Sequence, residues 1–137
     1  MSVRNELSTK NKWWIERYRY LELKYFCRQY PIWKKAYGSL HGLSQRPNNL
    51  ELFKKKGGHS DPTAKCAEAM LYYRERIELV ERVAEKTDKE LKKYILEGAT
   101  DGTSYDILNT RYRIPCCKDT YYDLYHKFFY LLNKERE

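Results

Sequence analysis

No stretch of this chain approaches the roughly 18–20 apolar residues that a membrane-crossing helix needs. Residues 1–12 are polar where a secretory signal would carry an apolar run. A cytoplasmic protein with no membrane partner is the expectation. Metal-binding patterns are equally scarce. The four cysteines, Cys27, Cys66, Cys116 and Cys117, show no Cys-x-x-Cys spacing, and His41, His59 and His126 are scattered. Structural zinc sites draw their ligands from closely spaced pairs. Adjacent Cys116 and Cys117 do not easily bridge each other inside regular helix, so reduced cysteines and no metal are expected. A Ser/His/Asp set and a glycine-rich phosphate loop are missing too. These absences argue against an enzyme and against a cofactor, and they leave no catalytic residue to nominate.

What the chain does have is tyrosine and positive charge. Apolar residues make up 42% of its 137 positions, enough for a core, and the length fits one domain or one helical body with a small appended module. Tyrosines are 14 of the aromatics, against 3 tryptophans and 4 phenylalanines. A large apolar body with a polar tip suits half-buried helix faces and interfaces, and base stacking is the functional alternative. The formal net charge is +8, which suggests an acidic partner, most often nucleic acid. Its distribution is uneven. Residues 1–60 carry 13 basic and 4 acidic side chains, residues 61–100 carry 8 and 9, and residues 101–137 carry 6 of each. The positive field belongs to the N-terminal half, and the C-terminal part is neutral.

Hydrophobic spacing predicts an all-α fold. Residues 1–12 read as a flexible leader. A helix over residues 13–29 places Trp14, Tyr18, Leu21 and Tyr25 at steps of 4, 3 and 4, with Leu23, Phe26 and Cys27 widening the stripe. Pro31 breaks or kinks it, and a short helix over residues 32–40 follows. Residues 41–60 read as a loop. Within it, Lys54, Lys55 and Lys56 precede Gly57 and Gly58 as a basic tip able to touch phosphates. Ser60 or Asp61 then caps a helix whose first turn tolerates Pro62. In that helix Cys66, Met70, Tyr73, Ile77, Val80 and Ala84 alternate steps of 4 and 3, an a/d seam broadened by Leu71, Leu79 and Val83. The seam is expected to pack against the Trp14, Tyr18, Leu21 and Tyr25 stripe as a helical hairpin over residues 13–86. Pairing with a second copy, as a homodimer, is the alternative.

Residues 87–137 are patterned differently. Thr87 and Asp88 cap a helix over residues 91–99 with Leu91, Tyr94 and Ile95 on its apolar face. A break at residues 100–103 follows. Ser104 caps a helix to residue 112, with Ile107 and Leu108 toward the core. Ile114 reads as a buried turn residue. Pro115 opens a long last helix that carries Tyr121, Leu124, Phe128, Leu131 and Leu132 at helical spacing. Two helices around a tight turn, resting on a supporting helix, form the outline of a helix-turn-helix.

The runs Ile95-Leu96-Glu97-Gly98, Gly102-Thr103-Ser104-Tyr105-Asp106-Ile107-Leu108 and Ile114-Pro115-Cys116 resemble region 4 of bacterial sigma factors. They are more similar still to the sigma-like C-terminal module of phage and prophage regulators of the ArpU/RinA kind. That resemblance implies a non-enzymatic, sequence-specific protein that binds double-stranded DNA, a transcriptional regulator of phage origin. The early positions of the last helix would then face base edges: Cys116, Cys117, Lys118, Thr120 and Tyr122, with Tyr125, His126 and Lys127 further along. Arg113 and Lys118 would contact phosphates. Asp119 and Asp123 depart from this pattern, because a DNA reader favours basic or amide side chains there. Asp119 is equally suited to the positive end of the helix dipole, or to a cytosine amino group. Two other readings compete. One is a small-terminase-like packaging protein. The other is an adaptor for RNA polymerase or another phage or host protein that makes no DNA contact.

Overall fold

The computed structural model describes residues 9–44 and 62–137, so the basic tip of Lys54, Lys55 and Lys56 lies outside the described residues. Those residues form helices and no strand, as the all-α reading expects. The helices are α1 (Arg17–Arg28), α2 (Tyr30–Ser44), α3 (Pro62–Thr87), α4 (Lys92–Asp101), α5 (Tyr105–Tyr112) and α6 (Lys118–Arg136). Two compact units result. One joins residues 9–29 with residues 80–137, and the other lies within residues 30–79. The last two turns of α3 and all of α1 therefore belong with the C-terminal helices, rather than with a separate hairpin over residues 13–86.

In the first unit α1 packs on α4 and α6, which also touch each other, while α5 packs on α4 and α6. The face that α1 buries is not the one with the most aromatics. Tyr20, Leu23 and Cys27 are buried, whereas Tyr18 is 75% exposed, Tyr25 69% and Trp14 40%. Both faces satisfy helical spacing. The buried one contains Leu23 and Cys27, which gain nothing from water, while tyrosine keeps its hydroxyl solvated when exposed. Tyr20 meets the edge of Phe129 at 5.3 Å between ring centroids. The helix also starts later than its periodicity suggests. Asn11 accepts from the amides of Trp13 through its side chain at 2.8 Å and of Trp14 through its carbonyl at 3.1 Å, forming a turn ahead of α1.

The end of α3 contributes buried Val80, Val83, Ala84 and Thr87. Its Arg82 and Lys86 both reach Glu135 near the end of α6, at 3.2 and 3.1 Å. Asp88 then makes the α3–α4 corner, accepting from the amides of Glu90 and Leu91 at 2.9 Å each. Leu91, the cap residue of α4, and Ile95 within it are buried, and Gly98 lets α6 approach: a Cβ there would run into the hydroxyl of Tyr121. That hydroxyl donates to the carbonyl of Tyr94 at 3.3 Å. Gly102 closes α4 in the left-handed region, φ 72°, a conformation natural to glycine.

Ser104 caps α5 by accepting from the amide of Ile107. Tyr105 and Leu108 are the residues α5 buries. Ile107, expected in the core, is 53% exposed, because Tyr105, Leu108 and Tyr112 at steps of 3 and 4 define the inward face and Ile107 lies opposite. Ile114 is buried in the turn. Pro115 does not open α6. The helix begins at Lys118 with Cys117 as its extended cap residue, and the Tyr105 hydroxyl donates to the Cys116 carbonyl at 2.6 Å, holding the chain outside the helix.

In the second unit α2 begins immediately after Gln29 and places Pro31 in its first turn, where a missing amide donor costs nothing. The helix continues to Ser44, so residues 41–44 are helical where a loop was expected. Tyr37 stacks on His41, with ring centroids 6.1 Å apart. The Cys66 thiol donates to the Leu40 carbonyl at 3.7 Å. No described helix is long and apolar enough to cross a membrane.

Candidate nucleic-acid interface

The first turn of α6 and the turn before it present most of the side chains nominated as DNA contacts. Arg113, Cys117, Lys118 and Thr120 are exposed, and Cys116, Tyr122 and Lys127 are half-buried. Tyr125 and His126 are not available. Both are buried at 6% exposure, because α6 turns Tyr121, Tyr125, Phe128, Phe129 and Leu132 inward and His126 joins that face. His126 packs against the rings of Tyr20 and Tyr125, with centroids 6.0 and 5.7 Å away. Lys127 sits over the ring of Trp13, 5.8 Å from its centroid. Among the nominated residues, the surface set therefore ends near Tyr122, apart from Lys127.

The exposed residues are tied into the turn. Cys117 Sγ lies 3.2 Å from the Thr120 hydroxyl. That hydrogen bond, reinforced by the amides of Thr120 and Asp119, holds the thiol pKa below its ordinary value. Lys118 pairs with Asp106 at 3.3 Å, linking the first turns of α5 and α6. Tyr122 accepts from the Tyr105 amide at 3.2 Å. Arg113 adopts φ 56° and ψ 73°, and its amide donates to the Asn109 carbonyl. The next amide, of Ile114, donates to the Asn109 side chain at 3.0 Å.

A cleft of about 470 Å³ opens beside this turn. It is lined from α1 by Lys24 and Arg28, from the α4–α5 corner by Gly102, Thr103 and Ser104, and from α6 by Lys118, Asp119 and Tyr122. Arg28 lies directly over Gly102, where a Cβ would collide with the guanidinium. The Lys24 ammonium stands 5.5 Å from the centre of the Tyr20 ring. Burial, and then the neighbouring Arg28, hold the Lys24 pKa below its ordinary value.

Lys24 and Arg28 are the site residues that sequence reasoning missed. The signal was present as the excess of positive charge in residues 1–60 and as the four-residue spacing of the two cations. Nothing in the sequence says which helix end receives them. Among the described residues, no cluster of three or more His, Cys, Asp or Glu side chains is arranged to hold a metal ion. Comparison with protein-family models, with curated proteins and with solved structures gives no match.

Proposed function

We propose that the chain is a non-enzymatic protein that binds double-stranded DNA through the exposed start of α6, as a transcriptional regulator of phage origin. One observation carries the DNA reading. Lys24 and Arg28 of α1 line the same cleft as Lys118, Asp119 and Tyr122. The segment over residues 101–137 is neutral by sequence, yet in the folded unit it stands beside two cations from a distant helix. The helix order from α4 to α6, with a buried Ile114 in the turn, is compatible with a helix-turn-helix. The phage origin and the regulatory role rest on the sequence resemblance to sigma-like phage regulators.

The test is duplex binding followed by fluorescence anisotropy across a salt series, after selection of a preferred sequence from a random pool. Affinity should fall steeply between about 50 and 200 mM salt. The paired change Lys118→Glu with Thr120→Ala should abolish preference for the selected sequence over a scrambled one. Retention of that preference would show that α6 does not read bases.

A second reading, an adaptor that binds another protein, draws on Tyr18 and Tyr25 of α1, with Trp14 in the turn before it, left in solvent. It is distinguished by partner binding that survives the α6 changes and is lost in Tyr18→Ser with Tyr25→Ser.

A further inference from the structure

Among the described residues, the cations at the α1 end of the cleft have no acidic partner. Arg28 makes no hydrogen bond or ion pair with any described residue, and Lys24 has the Tyr20 ring but no carboxylate within reach. They sit one helical turn apart, a spacing at which like charges oppose each other; burial first, and Arg28 second, hold the Lys24 pKa below its ordinary value. Elsewhere among the described residues Arg19 and Arg136 share Glu22, Arg82 and Lys86 share Glu135, and Arg111 reaches Glu97. The cleft gathers Lys24, Arg28 and Lys118 beside Asp106 and Asp119, and the only ion pair among these five is that of Lys118 with Asp106, so the two α1 cations enter it without one.

The other lining groups narrow what would match it. Tyr122 already accepts from the Tyr105 amide, so its hydroxyl proton remains to donate. Of the first amides of α5, that of Tyr105 is engaged by Tyr122 and that of Ile107 by Ser104, which leaves the side chains as the main ligand groups. Asp106 is tied to Lys118, but Asp119 stands at the cleft with its charge. That carboxylate opposes a dianion more than a monoanion. A guanidinium fork, an ammonium and a hydroxyl beside a lone carboxylate suit a singly charged phosphodiester.

We propose that this cleft holds one phosphodiester of a DNA backbone, gripped by Arg28 and Lys24 with the Tyr122 hydroxyl. The assignment rests on the DNA-binding reading. It gives α1 a role in fixing the protein on the duplex, without contributing to the choice of sequence.

The experiment compares the full chain with Arg28→Ala, and with Arg28→Ala plus Lys24→Gln, on two short duplexes of unrelated sequence across a salt series. Circular dichroism establishes that the variants are folded. The expected result for the double variant is about a tenfold loss of affinity on both duplexes alike, with the slope of log affinity against log salt smaller by about one. Wild-type binding with slope and affinity unchanged in the double variant overturns the cleft assignment and leaves DNA binding intact. Absence of duplex binding by the wild type at low salt overturns the DNA reading itself. A parallel arm titrates sodium phosphate alone into labelled wild-type protein and follows the backbone amides of Gly102, Thr103 and Ser104. Shifts that saturate there without any duplex binding overturn the DNA backbone as the source of the phosphate. Weak shifts that vanish in Arg28→Ala, alongside duplex binding, support it.

Discussion

Arg113 occupies backbone space that a side chain makes expensive, and it does so at the turn leading into α6. Among described non-glycine residues it alone has positive φ, where an L-residue is strained by about 1–2 kcal/mol. Asn109 offsets this by receiving two successive amides. Arg113→Gly should therefore stabilise the protein by about 0.5–1 kcal/mol, once the greater freedom of glycine in the unfolded chain is subtracted. A thermal melt should move up by a few degrees, and an unchanged or lowered midpoint would mean that the strain is absent. If Arg113 also touches phosphate, the same variant should lose DNA affinity while gaining stability. At Gly98 the effect runs the other way. Tyr121 is fully buried and its hydroxyl occupies the space a Cβ would need, so Gly98→Ala should cost about 1–3 kcal/mol through overpacking. Urea unfolding measures it, and a neutral result would mean that α4 and α6 separate easily.

At the level of elements, the C-terminal helices were legible because their boundaries are set locally. Ser104 caps α5 and Gly102 ends α4 as their residue types dictate, and Ile114 is buried in the turn. Pro115 misled because it is equally suited to the turn and to a first helical position, and the Tyr105 hydroxyl on the Cys116 carbonyl decides for the turn. The inward faces were less legible. On α1 two stripes compete, and the contacts with α4 and α6 select Tyr20, Leu23 and Cys27. On α6 the same selection removes Tyr125 and His126 from the candidate surface, while Lys118 and Thr120 remain on it. Substitution on the two faces of α1 tests this directly. Leu23→Ala should lose about 2–5 kcal/mol, whereas Tyr18→Ser and Tyr25→Ser should each stay within about 0.5 kcal/mol. Equal losses from both faces would show that the exposed stripe is covered in solution.

On the scale of the whole molecule, the first unit depends on keeping a titratable ring neutral in its core. Burial pushes the His126 pKa down to about 4, with nearby Lys24 acting in the same direction and Asp123 against it. The ring lies among Tyr20 and Tyr125, which offer it apolar surface. In the unfolded chain the imidazole takes up its proton near pH 6.5, so between that pH and about 4 the unfolded state binds more protons than the folded one. Stability is then fully present above pH 6.5 and falls as the pH drops through the window. The loss from this group is on the order of 2–3 kcal/mol after partial solvent access is allowed for, and it levels off below about pH 4. Glu135, held below its ordinary pKa by Lys86 and Arg82, adds its loss lower on the scale, where carboxylates protonate. Denaturant unfolding at pH 7.5, 6, 5 and 4 should show the decline in the wild type and a much flatter profile in His126→Gln over the same range. The variant should start less stable at pH 7.5, since an amide replaces a packed ring, so the diagnostic is the slope between pH 6.5 and 4. Identical slopes in the two proteins would mean that His126 is protonated in the folded state and that the core of α6 is more open than its burial indicates.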